Sequence, residues 1–311
     1  MNLWLKRLAL AGVAVGVVLT GLGGLAAWRP PLDIVNDGFP FWFTGLIVVA
    51  WLSVRAGDWR LILTATALIA INAATTLATL QGAADAAPAG SERALRVLTF
   101  NLWRGNSRIE DVAKFLAEAD ADAVVLQEVT REHGDVLRAR LKAAYPHNAG
   151  DQHLIILSKH PILAEGQIDR PGFPPWSALM LRWVRIEVEG TAVEIAGVHL
   201  ARPFYPTLQE EDLERLIAFA LDHNGPLILA GDFNMTPWTE KLNRLIRTTG
   251  LRRYNTFHFT WPLKRKSLPL VPFVTIDNVL ASPDFAKIAT RVGPSLGSDH
   301  RPVIADLAFS P

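Results

Sequence analysis

The chain has 311 residues, no cysteine, and 31 Lys and Arg against 30 Asp and Glu, for a net charge of +1. That excludes a disulfide scaffold, a cysteine zinc site and a thiol nucleophile, and a near-neutral chain lacks the bulk positive field of a strong nonspecific nucleic-acid binder. Half of the residues are hydrophobic but unevenly spread: the first 90 hold only five basic and four acidic residues, leaving 26 of each for 91–311.

The front of the chain reads as membrane. Three apolar stretches, 8–28, 39–54 and 61–80, predict three transmembrane helices, since about 20 apolar residues cross a bilayer core of about 30 Å. Trp28, Trp42, Trp51 and Trp59 lie near their ends, where interfacial aromatics gather. Gly21, Gly23 and Gly24 offer close helix packing. Lys6 and Arg7 precede the first stretch, and Arg55 and Arg60 lie between the second and third. Basic loops stay inside, so residue 81 onward is expected on the far side, with the body extracytoplasmic (periplasmic) at a cell inner membrane. Two other readings stay open: a cleaved signal peptide for the first stretch, and a re-entrant second stretch that would keep the body inside. Residues 81–91 (QGAADAAPAGS) read as a linker.

In 92–311, short β-branched or apolar runs predict strands at 96–102, 123–127, 154–157, 179–188, 192–199, 227–230, 275–280 and 302–307. Helices are expected at 109–119, 208–222 and 239–248. In the second, Leu208, Leu213, Leu216, Ile217 and Ala220 mostly share one face, and Glu210, Glu211, Asp212 and Glu214 are expected away from it. Runs 179–188 and 192–198, joined by Glu189-Gly190-Thr191, read as a hairpin, so the sheets are at least partly antiparallel.

Polar residues sit at the ends of these strands: Asn101, Glu128, His199, Asp232 with Asn234, Asp277, and the pair Asp299-His300. One such residue is an ordinary cap; this many on a rigid scaffold mark a site. Glu128, Asp232, Asp277 and Asp299 supply hard oxygen, which suits Mg²⁺, or Mn²⁺, over Zn²⁺. Asn101, Asn234, His199 and His300 supply donors for phosphate oxygens. In an extended chain Asp232 and Asn234 face the same side. The set fits metal-assisted phosphoester hydrolysis. Ser298-Asp299-His300 is no catalytic triad, because adjacent residues cannot form its relay.

The motifs FNLW, QEV, VHL, GDFN, TIDNVL and SDHRP, in this order over roughly 94–308, resemble the endonuclease/exonuclease/phosphatase superfamily. That superfamily includes deoxyribonuclease-like nucleases, abasic endonucleases, inositol phosphatases and bacterial sphingomyelinases. The resemblance implies a four-layer α/β/β/α sandwich, two mostly antiparallel sheets flanked by helices, with the site at one end. It implies Glu128, Asp299 and Asn101 on the metal side, and Asp232 orienting or deprotonating the attacking water. It implies Asn234 on the phosphate, His300 on the scissile phosphate, and Asp277 orienting His300. His199 matches a position that is His in some members and Tyr in others.

Superfamily membership leaves the ester open. Segment 258–273 joins Lys264-Arg265-Lys266 to Trp261 and several apolar residues, and reads either as a loop with a solvated basic tip or as a substrate-side or headgroup contact. Arg104 and Arg202 are phosphate ligands or structural ion-pair partners. Three functions follow: a membrane-anchored phosphoesterase on a small or lipid-linked ester, a nuclease with the same chemistry, and a noncatalytic tethered binding module.

Overall fold

The computed structural model describes residues 3–174, 178–265 and 268–310. Among the described residues, three helices are long and apolar enough to cross a membrane: α1 (Leu3–Gly24), α3 (Phe39–Ala56) and α4 (Trp59–Leu80). A 22-residue helix is about 33 Å long at 1.5 Å per residue, which matches a bilayer core. The first helix lies about four residues N-terminal to the stretch expected from hydropathy. It stops at Gly24, and a 3₁₀ turn (Pro30–Asp33) and a short α2 (Ile34–Asp37) follow. At the other end of the bundle Asp58 caps α4, its Oδ1 accepting from Arg60 N at 3.1 Å, and pairs with Lys6 Nζ at 2.7 Å. Close approach occurs at Gly12, Gly16 and, of the three expected, Gly23, where an added Cβ would meet the Val49, Leu46 and Asn36 side chains at 2.3, 2.4 and 2.5 Å. At Gly21 and Gly24 a Cβ meets nothing within 4 Å, so these two are not contact glycines.

Beyond the bundle stand two mixed six-stranded sheets. The first orders its strands β13-β14-β1-β2-β4-β3, the second β5-β6-β7-β8-β12-β9. Their bounds are β1 Leu95–Asn101, β2 Ala123–Val129, β3 His147–Ala149, β4 His153–Ser158, β5 Ile162–Asp169, β6 Leu179–Val188, β7 Thr191–His199, β8 Leu227–Asp232, β9 Arg252–Arg253, β12 Asp277–Ala281, β13 Phe285–Val292 and β14 Val303–Phe309. A small pair, β10 (Lys264–Arg265) and β11 (Leu268–Pro269), forms a third sheet in segment 258–273; Lys266 lies outside the described residues.

The two large sheets pack face to face over Val97, Val125, Ile156, Val184, Ile195, Ile228, Val279 and Val303, all fully buried. Helices α5 (Ile109–Ala119) and α6 (Arg131–Leu141) cover the outer face of the first sheet through Val112, Leu116, Leu137 and Leu141. Helices α7 (Pro206–Asp222) and α8 (Glu240–Thr249) cover the second through Leu213, Leu216, Leu242 and Leu245. The result is the four-layer α/β/β/α sandwich. Only β1–β2 and β7–β8 run parallel, because a helix carries the chain back between each pair. The β6–β7 hairpin closes on Glu189 and Gly190, both at positive φ, as a two-residue turn requires.

The bundle and the sandwich meet along α8. The Asp33 carboxylate accepts from Glu240 N at 2.9 Å and Lys241 N at 3.0 Å, capping α8 from outside the domain. Asp37 Oδ1 accepts from Thr236 N at 3.3 Å, and Phe39 stacks on Trp238 at 5.3 Å. Segment 81–91 runs along the sandwich: Ala84 N donates to Arg253 O and Ala87 N to Lys287 O, both at 2.8 Å.

Candidate active site

The parallel crossovers put the ends of β1, β2, β7 and β8 on one rim of the sandwich, and antiparallel β12 brings its start to the same rim. Register fixes the arrangement: His199 pairs with Asp232, and Asp232 with Asp277, across adjacent strands. A one-residue slip would turn these side chains to the other face.

Two local departures aim the carboxylates. At Glu128 the β2–β4 register shifts and φ is 55°, a bulge that turns the side chain out of the strand alternation. Beside Asp232, a Cβ on Gly231 would sit 1.9 Å from Val198 O, so β8 approaches β7 this closely only with glycine there. Asn234 follows at φ 50°, its N donating to Asp232 Oδ1 at 2.9 Å.

The Asn101 amide lies at the centre. Nδ2 donates to Asp232 Oδ2 at 3.0 Å and to Glu128 Oε1 at 3.3 Å, while its Oδ1 accepts from Trp103 N at 3.0 Å. His199 Nε2 stands 3.9 Å from both Glu128 Oε1 and Asp232 Oδ2. Burial, outweighing the attraction of Glu128, pushes His199 down to about 4, so its imidazole is neutral at pH 7.

His300 behaves oppositely. Its Nδ1 meets Asp277 Oδ2 at 2.9 Å and its Nε2 lies 3.9 Å from Asp232 Oδ2. Burial disfavours the imidazolium, but Asp277, with Asp232 and Asp299, overcomes that and raises His300 to about 10. Asp232 is pushed up to about 7 by burial and by Asp277, against the pull of His300. Thus a cationic histidine faces a carboxylate poised near neutrality. Ser298 ties the loop to the rim: its Oγ donates to Asn101 O at 2.7 Å and accepts from His300 N at 3.0 Å. Asp299 accepts from Trp261 Nε1 at 3.3 Å, which places segment 258–273 against the site.

Asp232, Asp277 and His300 offer ligand atoms within 4.8 Å of one another, a group able to hold a divalent ion. It differs from the Glu128, Asp299 and Asn101 set expected from the sequence. The Asp277–His300 hydrogen bond already occupies one nitrogen of that group. Glu128 and Asp232 instead present two carboxylates gathered on a single amide, and their hard oxygens fit a divalent cation.

Several positioning residues escaped the sequence reading. Arg170 and Asp212 form a buried pair at 2.7 Å beneath His199. Arg170 Nη2 donates to His199 O at 2.8 Å, and Asp212 Oδ2 accepts from Ala201 N at 2.8 Å. Asp212, expected away from the apolar face of its helix, is fully buried, because the loop after β7 needs an acceptor there. Gln209 Nε2 donates to Ala201 O and to Asn234 O, at 3.0 and 2.9 Å. No local pattern marks these partners. Asn234 Nδ2 donates to Leu200 O at 2.9 Å, so one amide proton is committed to the loop. Arg202 stands 3.8 Å from Glu128 Oε1, and the Arg104 backbone N donates to Glu128 Oε2 at 3.4 Å. A cavity of about 940 Å³ opens beside Glu128 and His199, rimmed by Phe173, Phe204 and Tyr205.

This fold recurs in solved structures. An endonuclease/exonuclease/phosphatase family protein from Leptotrichia buccalis superposes with a TM-score of 0.58 at 17% identity, covering 70% of this chain and 100% of that one. Sphingomyelinase C from Streptomyces griseocarneus does so at 0.53 and 21%, covering 68% and 98%. An endonuclease/exonuclease/phosphatase from Beutenbergia cavernae does so at 0.56 and 23%, covering 70% and 72%. At these identities the likeness is one of fold. None of the curated proteins matches the chain in sequence. The model of the Endonuclease/Exonuclease/phosphatase family matches residues 98–300, from β1 to His300, and the chain belongs to that family of phosphoester-hydrolysing enzymes.

Proposed function

We propose that this protein is a membrane-anchored, Mg²⁺-dependent phosphoesterase, its sandwich (92–311) held extracytoplasmically at the bilayer by spans within 1–80. Its substrate is a phosphoester presented at the membrane surface, a lipid-linked ester above all. The observation that carries the chemistry is the opposed pair: His300 held by Asp277 on one side, Asp232 on the other, with Asn101 and Glu128 adjoining.

In this reading His300, cationic at pH 7, donates from Nε2 to a non-bridging phosphoryl oxygen and matches the charge that builds there. Asp277 holds the tautomer and the charge. Asp232 orients the attacking water and takes its proton, a task suited to a carboxylate near 7. Asn234 keeps one amide proton for the phosphate. A divalent cation on the oxygens of Glu128 and its neighbours, with Asp299 and Asn101 alongside, supplies Lewis-acid stabilisation when bound. Neutral His199 remains a hydrogen-bond donor at the Glu128 side.

The lipid-linked substrate is supported by where the rim sits. Phe273, in the segment that places Trp261 on Asp299, packs edge-on against Phe41 in the first turn of α3 at 4.6 Å. Thr236, two residues past Asn234, bonds Asp37. The catalytic rim therefore lies beside the ends of the spans, and Phe204, Tyr205 and Val271 stand exposed there. The full chain in detergent, with Mg²⁺, is to be assayed on phospholipid vesicles, bis-p-nitrophenyl phosphate and plasmid. Cleavage of vesicle phospholipid is expected. Cleavage of plasmid alone makes it a nuclease, and inactivity on every ester favours a binding module.

A further inference from the structure

The three apolar helices share a small buried core at the end away from the sandwich. Their shared core is Ala9, Val13, Leu61 and Ala65, with Val49, Ala50 and Leu52 against it. All of these belong to the half away from the sandwich. Toward the sandwich a cavity of about 560 Å³ lies between the C-terminal halves of α1 and α4, the first turn of α3 and the underside of α8. It contains none of the residues assigned to phosphoester chemistry.

The cavity is two-ended. Its deep wall is formed by the helices, with Ile71 and Ala78 beside Thr20, Asn72, Thr75 and Thr79. There Asn72 donates to Thr20 Oγ1 at 2.9 Å and to Leu68 O at 2.8 Å, so its amide N–H groups are satisfied. Its other end carries Arg247 and Arg252. Arg247 is matched by Glu240 at 2.5 Å. Arg252 has no carboxylate within ion-pair distance among the described residues, which leaves one uncompensated positive charge at the mouth.

Space between helices at acyl-chain depth forfeits dispersion contacts unless something apolar fills it, and water is scarce there. A slot walled by Ile71 and Ala78, whose Thr75 and Thr79 hydroxyls are spent on the backbone of their own helix, ends in one free cation and complements a molecule with a chain and a single phosphate. We infer that this junction binds one glycerophospholipid, its acyl chain between α1 and α4 and its phosphate against Arg252, apart from the catalytic rim. The inference rests on reading the three helices as spans and is independent of which ester the enzyme cleaves. Because α8 follows directly on the Asp232–Asn234 turn, the lipid becomes a structural wedge between bilayer and active site.

The test is native mass spectrometry of the full chain purified in detergent, with phosphatidylglycerol as the probe and dioleoylglycerol, which lacks phosphate, as its competitor. One phosphatidylglycerol per chain is expected to stay bound, and dioleoylglycerol is not expected to displace it. Arg252→Glu removes the headgroup contact and Ala78→Trp fills the slot. Each lowers retention about tenfold or more, by unrelated means, so a folding defect in one leaves the other decisive. Asp232→Ala retains the lipid. Equal retention of dioleoylglycerol, retention unchanged in both cavity variants, or loss in Asp232→Ala overturns the site. A full chain that is monodisperse without detergent and carries no lipid overturns the spans as well, and leaves the esterase assay to stand or fall alone.

Discussion

The sandwich and the helix bundle solve burial in different ways. The sandwich has three internal cores, and its β1, β2, β7 and β8 strands are almost wholly buried. The bundle buries only about a fifth of each span inside the protein. The first is stabilised by its own apolar contacts and water exclusion; the second leaves most of its apolar surface uncovered by protein, as helices of a length and composition able to cross a bilayer do. The candidate site stands where the self-sufficient region ends, and α8 joins it to the apolar helices.

The sharpest way to break that contrast is at the rim. Asp232→Ala or His300→Ala is expected to lower kcat/KM by about 10³- to 10⁴-fold while thermal unfolding of the sandwich persists, and excess chelator abolishes turnover. A catalytic loss accompanied by collapse of the fold would mean that the rim is structural. Next comes the buried support under His199. Asp212→Ala strands Arg170 and should cost about 3–5 kcal/mol in urea unfolding; a surface carboxylate such as Glu211 should cost almost nothing by the same measurement.

Asp277→Asn separates geometry from charge. The hydrogen bond survives, but the anion that raises His300 is gone, and burial then depresses the imidazolium. In saturating Mg²⁺ the pH–rate profile should rise as Asp232 ionises, below its metal-free value of about 7 because a bound cation favours the carboxylate, and fall as His300 deprotonates near 10. In Asp277→Asn the alkaline limb moves toward neutrality and kcat falls about 10²-fold. An unmoved limb would remove His300 from the mechanism. The smallest effect is expected at the junction: Asp33→Ala removes a cap from α8 and should cost about 1 kcal/mol, read as faster hydrogen exchange at Glu240 and Lys241 with the β-sheet amides unchanged.

The strands carrying site residues were legible because each is a short buried apolar run with a polar residue at one end, as in VLTFN, VVLQE and LILAGD, or at its start in DNVLA. The elements that went unread lack that contrast. Strand β5 alternates around Gly166, whose missing side chain admits the Trp183 ring, a Cβ there falling 2.6 Å from Trp183 Nε1. Strand β13 is an edge strand with a register shift at Lys287–Ala289. Helix α6 carries Gly134 and few apolar residues, and an added Cβ at Gly134 would clash with Asp151 O at 2.4 Å. In each case a tertiary neighbour decides what local propensity leaves open.

By itself the sequence determined the division into apolar helices and a balanced domain, the family, and the identities of the polar residues at strand ends, because hydropathy, periodicity and motif order are local properties. Only the tertiary structure decided that Glu128 leaves its strand on a bulge, that Asp232 and His300 face each other, that Arg170 and Asp212 hold up the His199 loop, and that Asp33 caps a helix 207 residues away. Those outcomes depend on register and on contacts between distant segments, where a carboxylate's partner is set by the folded path of the chain and not by its neighbours along it.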